Sequence, residues 1–266
     1  MFEFSAWLGF VAHDILKYLI PAGFVFFVTR KLFAKAIRGR RIQKVEAGRH
    51  QIIREICWSL VSATIFASVS MVGVMGLSTL GINQVYFDIS DYGWGYAIFS
   101  LVLMILAHDT YFYWTHRLMH LPAVLRYTHL LHHRSRTTTP WTAYSFDPVE
   151  AFVQVAFAAL FALLIPLNPL ILLIWSLHMV IRNVIGHCGF ELYPRTMARS
   201  RWFGWISGVT HHDLHHQNAK WNFGLYFTWW DRLMGTEHPE YLMRFDRAVG
   251  LAKEDAISKG NNRVAE

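Results

Sequence analysis

Fifteen of the 266 residues are histidine, and eight of those fifteen fall in three short runs: His116-x3-His120, His129-x2-His132-His133 and His212-x2-His215-His216. On a helix, positions i, i+3 and i+4 lie on one face, so each run offers two or three imidazoles to a single ion. Eight imidazoles exceed the roughly three or four that one zinc ion takes, which points to two ions. Imidazole suits zinc, copper, iron and nickel alike, so the spacing leaves the metal open. His108 lies about 80° around an ideal helix from His116 and stands equally as a ligand or as support for one. Asp109, one heptad before His116, is placed to orient that ring, because metal-bound imidazoles commonly give their other nitrogen to a carboxylate. His211 falls outside the spacing of its run and is left out. His13, His50, His178 and His238 stand alone and read as isolated polar side chains.

These runs need a frame, and the composition says which. The chain is 54% apolar and 16% charged, against about 25% charged in an average soluble domain. Its apolar residues gather in blocks near membrane-spanning length. Trp7 to Val28, interrupted by His13, Asp14 and Lys17, lacks the features of a cleaved signal and reads as a retained anchor. Ile56 to Leu77 is long enough to cross about 30 Å of hydrocarbon. Gly93 to Ala107 needs the aromatic stretch Tyr111 to Trp114 to complete a crossing. Ala151 to Ile165 and Leu170 to Ile185, joined through Pro166 and Pro169, read as a helical hairpin that either crosses or re-enters. The expected fold is therefore all-α, an integral membrane protein of about four transmembrane helices with a helical cap holding the di-metal site. Nine basic residues between Arg30 and Arg54 against the single acid Glu46 mark that loop as cytoplasmic. The loop holding Asp88 and Asp91 lies opposite, and counting spans from there brings every histidine run out on the cytoplasmic face. Residues 1–237 form one membrane-embedded catalytic domain with its histidine core at about 100–237, and 238–266 is expected as a polar, solvated tail. The net charge of +7 suits an anionic membrane leaflet and calls for no nucleic acid. Cys57 and Cys188 encode neither a disulfide framework nor a thiolate site.

The three histidine runs, together with Thr139-Pro140, Ser145-Phe146-Asp147-Pro148, Asn222-Phe223-Gly224, Trp230-Asp231-Arg232 and Gly235-Thr236, resemble the histidine boxes and flanks of the fatty acid hydroxylase superfamily, most of all its sterol desaturase branch. The resemblance covers about residues 100–237. It implies a non-haem centre of two iron ions in a cytosolic cap over four membrane helices, using dioxygen and external electrons to oxidise a lipid C–H bond. It adds His187, in Gly186-His187-Cys188-Gly189, as a ninth ligand. Glu191 stands where lipid hydroxylases carry a further histidine, and ligation, orientation of His187 or neither is open to it. Asp147 stands where relatives often have histidine. With Asp213, these carboxylates complete the set that could support the ligands from behind.

An unactivated C–H bond yields only to a strong metal–oxygen oxidant, so the metal carries the reaction and the protein positions the substrate. Trp141, Tyr144 and Phe146 are candidate walls for the lipid, and Arg182, within an apolar span, could meet a polar substrate group or the headgroups. No Gly-rich nucleotide fingerprint is visible. Electrons must then come from an external donor, by the resemblance a small haem or iron–sulfur carrier on the cytosolic side, for which Arg195, Arg199 and Arg201 are candidate contacts. The membrane is the cytoplasmic one in a bacterium and the endoplasmic reticulum in a eukaryote. A metal transporter would string its ligands along the spans, and a b-type cytochrome would face its histidines inside the bilayer. A zinc-dependent membrane hydrolase would carry His-Glu-x-x-His. The histidines instead gather outside the apolar blocks, and that pattern is missing. Hydroxylation and desaturation share their first hydrogen abstraction, and spacing does not separate them.

Overall fold

A computed structural model describes residues 4–251. Among the described residues, four helices are long and apolar enough to cross a membrane. α1 (Phe4–Phe27) runs on through a wider turn to Leu32, and α2 (Arg49–Ser70) is prolonged to Thr79. α3 is Gly93–Met119. The short helices α4 (Pro122–Thr128) and α5 (Leu130–His133) follow it and lead to the apolar α6 (Pro148–Ala162). α7 (Pro169–Gly186) is the fourth long helix. α8 (Val209–Gln217), α9 (Trp229–Leu233) and α10 (Tyr241–Ala248) close the described chain. In hydrocarbon every backbone polar group must pair within its own segment, which is why such apolar stretches become helices. The outward side chains Leu8, Leu16, Ile20 and Phe24 of α1 and Ile98, Phe99 and Val102 of α3 are exposed, as a lipid-facing surface requires.

The α6–α7 hairpin reaches the loop at the far end of the bundle. Gln84 N donates to Ala162 O at 3.0 Å, Leu167 N to Gln84 O at 2.9 Å, and Tyr86 N to Leu167 O at 3.1 Å. The sequence left a crossing and a re-entrant dip open, and these bonds bring the hairpin tip to the acidic loop. Its turn is written locally. Pro169 opens α7, and the Asn168 side chain caps it by accepting from Leu170 N at 2.9 Å. α2 and α6 pack closely at Gly73, where an added Cβ would lie 2.8 Å from Ala159 Cβ.

The basic loop after α1 folds onto the opposite end. Arg41 bridges to Phe190, and Arg40 donates to the carbonyls of Glu191 and Tyr193, both at 2.9 Å. Gln43 Nε2 donates to Thr138 Oγ1 and Asp213 Oδ1, each at 2.7 Å. Gly189 makes this approach possible: its φ is +77°, and a Cβ there would stand 2.7 Å from Gln43 Oε1. Charged residues that read as loop are thus part of the packing at this end of the bundle.

One boundary differs from expectation. The sequence ends the packed unit near 237, yet Tyr241, Phe245 and Val249 are buried against Leu214 of α8 and Met197. Tyr241, Phe245 and Ala248 recur at i, i+4 and i+7, one helical stripe, masked in the sequence by Arg244, Asp246 and Arg247. Residues 252–266 of the expected tail lie outside the described chain.

Candidate metal centre

Nine imidazoles meet at the end of the bundle that the basic loop covers, in two groups. His116, His120, His129, His133 and His215 form one, and His132, His187, His212 and His216 the other; within each, ligand atoms lie within 4.8 Å of one another. α3 supplies His116 and His120 a turn apart at its end. α5 and its cap supply His129, His132 and His133, and α8 supplies His212, His215 and His216. His187 caps α7. The i, i+3, i+4 runs do not serve one ion each. His129 and His133 turn to one group while His132 turns to the other, and α8 is likewise divided, so each helix ties the two groups together.

The nitrogens oppose one another as ligands around a cation would. His116 Nε2 is 2.9 Å from His129 Nε2, 3.2 Å separate His120 from His116 and from His133, and His215 is 3.0 Å from His133. In the second group His187 Nε2 lies 2.9 Å from His212, 3.1 Å from His216 and 3.3 Å from His132. Four of the Nδ1 atoms are committed to backbone carbonyls. His116 Nδ1 faces Phe223 O at 2.8 Å, His187 Nδ1 faces Asn183 O at 2.7 Å, His215 Nδ1 faces Trp221 O at 2.7 Å and His132 Nδ1 faces Ser145 O at 3.3 Å. His129 Nδ1 meets Glu150 Oε2 at 2.6 Å. A carbonyl accepts only, so it fixes the proton on Nδ1 and leaves Nε2 a bare lone pair. His132 and His187 therefore point lone pair at lone pair, and His116 turns a lone pair toward His129. Ligands at right angles around an ion with bonds of about 2.1 Å sit about 3.0 Å apart, which is the spacing observed.

Burial holds the rings neutral, as ligation needs. It lowers His187 and His215 to about 4 and His120 to about 2. His129, His132, His133, His212 and His216 are pushed well below the ordinary histidine value by burial first and then by neighbouring imidazoles.

The remaining candidates separate. Asp109 does not reach His116, whose Nδ1 is already given to Phe223 O. It accepts from Tyr226 N at 2.7 Å and Trp229 Nε1 at 2.7 Å, tying α3 to the segment before α9. His108 lies outside both groups, its Nδ1 2.9 Å from Tyr226 Oη. Asp147 accepts from Leu131 N at 2.9 Å and so anchors α5. Glu191 neither ligates nor touches His187. It accepts from Thr210 N and Oγ1 at 2.8 and 2.7 Å and holds the start of α8, and burial raises its carboxyl. Asp213 accepts from Gln43, and burial raises it to about 6. Arg182 is used internally, donating to Ser207 O and Tyr226 O, both at 3.1 Å. Arg199 is ion-paired with Asp246.

Two residues of the flanking motifs, Glu150 and Asp231, have roles that the sequence does not assign. Glu150, fully buried against His129, sits in the first turn of an apolar helix, where a lone acid is costly without a partner; that cost was the available signal. Asp231 accepts from Phe223 N and Gly224 N, both at 2.8 Å, and so fixes the carbonyl that braces His116. Burial raises it to about 7.

A cavity approaches the second group through the apolar half. Its outer chamber, about 660 Å³, is lined by Phe10, Val74, Val85, Phe87 and Leu172. A narrower inner chamber of about 70 Å³ is lined by Phe66, His108, Phe112, Phe146 and Asn183. Asp14, Lys17, Ser70, Ala158, Trp175 and Ser176 border both. Phe146, 5.2 Å from the His132 ring, is the only one of the three expected lipid-wall residues on this cavity. Trp141 gives its carbonyl to Tyr18 Oη at 2.8 Å and packs on Phe26, and Tyr144 stacks on Tyr18 at 4.9 Å. Both are core, because the turn they share backs onto α1.

A model of the fatty acid hydroxylase family matches residues 101–236, which hold all nine converging histidines. The chain is similar to a Delta(7)-sterol 5(6)-desaturase of Gibberella zeae, 29% identical over 243 residues, covering 88% of this chain and 73% of the relative. A second such desaturase, of Aspergillus fumigatus, is 32% identical over 228 residues, 77% of this chain and 71% of the relative. Lathosterol oxidase of Rattus norvegicus is 29% identical over 194 residues, 72% of this chain and 63% of the relative. No solved structure matches.

Proposed function

We propose, from the premise that this chain belongs to the fatty acid hydroxylase family and is a membrane lipid oxidoreductase of its sterol desaturase branch, that it oxidises a C–H position of a sterol or sterol-like lipid at a di-iron site. The carrying observation is the set of Nε2 atoms opposed about 3 Å apart, with the Nδ1 atoms of His116, His132, His187 and His215 already given to backbone carbonyls. His116, His120, His129, His133 and His215 would hold one ion, and His132, His187, His212 and His216 the other. Iron supplied with dioxygen and two external electrons gives the oxidising power that an unactivated C–H bond demands. Whether the lipid leaves with a new double bond and two waters formed, or with one hydroxyl and one water, the consumption of one dioxygen and two electrons is the same.

The chain's own residues do the rest. Buried carbonyls and Glu150 keep the imidazoles in the tautomer that presents Nε2. The apolar cavity takes the lipid from the bilayer side and excludes water from the Phe146 end. Arg40 and Gln43 tie the basic loop to the cap, so by the excess of Lys and Arg in that loop the cap lies on the cytoplasmic side. An external electron carrier would dock there, and Arg195 and Arg201 are the candidate contacts once Arg199 is committed to Asp246.

The test is metal content of protein purified from iron-replete cells, with Mössbauer spectra before and after dithionite and air, followed by a sterol product screen. About two irons per chain that cycle with oxygen, and an oxidised sterol, are expected. Stoichiometric zinc without redox change overturns the reading.

A further inference from the structure

We propose that the inner chamber, where it meets the outer one, is a binding niche for the hydroxyl group of an amphiphilic lipid, with Asp14, Lys17, Gln154 and Trp175 as its polar contacts. The proposal rests on the lipid-oxidase reading and adds which end of the lipid goes in first.

Asp14 and Lys17 stand one turn apart on α1, ion-paired, with Asp14 only 5% exposed, inside a segment otherwise apolar enough to cross a membrane. Charges at such a depth are expensive and mark functional sites by default. Both border the outer and the inner chamber. The Gln154 Nε2 of α6 and the Trp175 Nε1 of α7 are buried donors without an acceptor, in residues 8% and 5% exposed that line the inner chamber. Unpaired buried N–H groups are rare in folded proteins and call for a partner. Here three helices bring two unsatisfied donors and an ion pair to one mostly apolar cavity.

The chemistry of these groups selects the ligand. A hydroxyl both accepts and donates, so its oxygen can take a hydrogen bond from Gln154, Trp175 or Lys17 while its proton goes to the Asp14 carboxylate. A ketone would offer Asp14 no donor beyond Lys17, a carboxylate would face Asp14 as a like charge, and a hydrocarbon would leave Gln154 and Trp175 unpaired. The outer chamber is of the volume that holds a drug-sized apolar body, within about 300–1,000 Å³. Phe146 and Asn183, which touch the His132 group, line the same inner chamber as the niche. The lipid therefore lies with its hydroxyl end inward and its tail in the outer chamber, and the carbons presented to the metal group are those near the hydroxyl.

Equilibrium binding of tritiated lathosterol and its 3-deoxy counterpart, and of octadecanol against octadecane, to the full chain in nanodiscs tests this. Wild type should prefer the hydroxylated member of at least one pair by about tenfold or more. Asp14→Asn and Gln154→Leu should each cut that preference below about threefold while affinity for the deoxy partner holds, which also reports a folded cavity. Equal affinity within both pairs, or a preference untouched by both variants, overturns the niche. Product analysis on the same preparations keeps the two readings apart. Oxidised lipid without a hydroxyl preference overturns the niche alone, whereas a preference abolished by Asp14→Asn supports the niche even where no lipid is oxidised and the oxidase reading fails.

Discussion

In the His116 group three rings are braced through Nδ1, by Phe223 O, Glu150 and Trp221 O, and two rings, His120 and His133, are part-exposed. All four rings of the His132 group are buried, His187 is central to them, and the group backs onto Phe146 and Asn183 at the lipid cavity. One group thus looks toward the cap surface and has a nitrogen to spare, while the other looks toward the lipid and has none. Nine similar imidazoles on interleaved helices form two groups with different surroundings. Position relative to the bilayer, more than ligand type, distinguishes them.

The comparison breaks first at His187. His187→Ala leaves three nitrogens around the cavity-side ion and should lower lipid oxidation about 10³-fold, equivalent to about 4 kcal/mol of barrier, with iron falling toward one per chain by mass spectrometry. His120→Ala, taken from the five-membered group, should retain more iron than His187→Ala. Equal iron loss in the two variants would show that the groups are not independent in the way their geometry suggests.

Next comes Glu150. Glu150→Gln removes the carboxylate on His129 Nδ1, and loss of such a support costs about 10–100-fold in metal affinity. The loss should fall on the His116 group only, read as one weakly held iron in a chelator competition. Loss of both ions at equal chelator concentration would sink the assignment.

How far these contrasts could be read from the sequence depends on the residue. The eight histidines of the three runs, and the apolar blocks that deliver them, are visible because period and length are local properties. The partition between groups is not, since it depends on how α5 and α8 pack face to face, and i, i+3, i+4 spacing alone suggests one ion per run. Carboxylates misled for the same reason. Asp109 lies on nearly the right face for His116, but the segment at Tyr226 to Trp229 folds over and claims it. Glu191 beside His187 turns instead to the backbone of α8. Glu150, in an apolar helix, was the acid with most at stake in finding a partner. Trp141 and Tyr144 read as lipid contacts because aromatic residues suit both a cavity wall and a core. Only the return of α1 against that turn decides for core.

A smaller effect separates the covering loop from the ligands it covers. Gly189→Ala forces a side chain into φ +77° and toward Gln43 Oε1, at about 1–2 kcal/mol for the backbone alone. Gln43 then loses its bonds to Thr138 and Asp213. Thermal unfolding should fall by a few degrees, and iron binding to the His132 group should weaken more than to the His116 group, because His187 lies two residues away. An unchanged melting temperature would mean that the loop can recede without cost.

The least effect is expected at Tyr144, and it discriminates well for that reason. Its ring stacks on Tyr18 and meets Phe66 edge-on, and its hydroxyl is buried with no partner. An unpaired buried hydroxyl is a net cost, so Tyr144→Phe keeps the packing and removes a penalty of about 1–3 kcal/mol at most. Stability should hold or rise slightly, and lipid affinity should stay within about twofold, unlike the loss expected from Asp14→Asn, because Tyr144 does not line the cavity. If Tyr144→Phe instead weakened binding of the hydroxylated lipid as much as Asp14→Asn does, the hydroxyl would lie on the α1 side of the Tyr18 stack. The inner chamber would then extend beyond Phe146 into what is here the core.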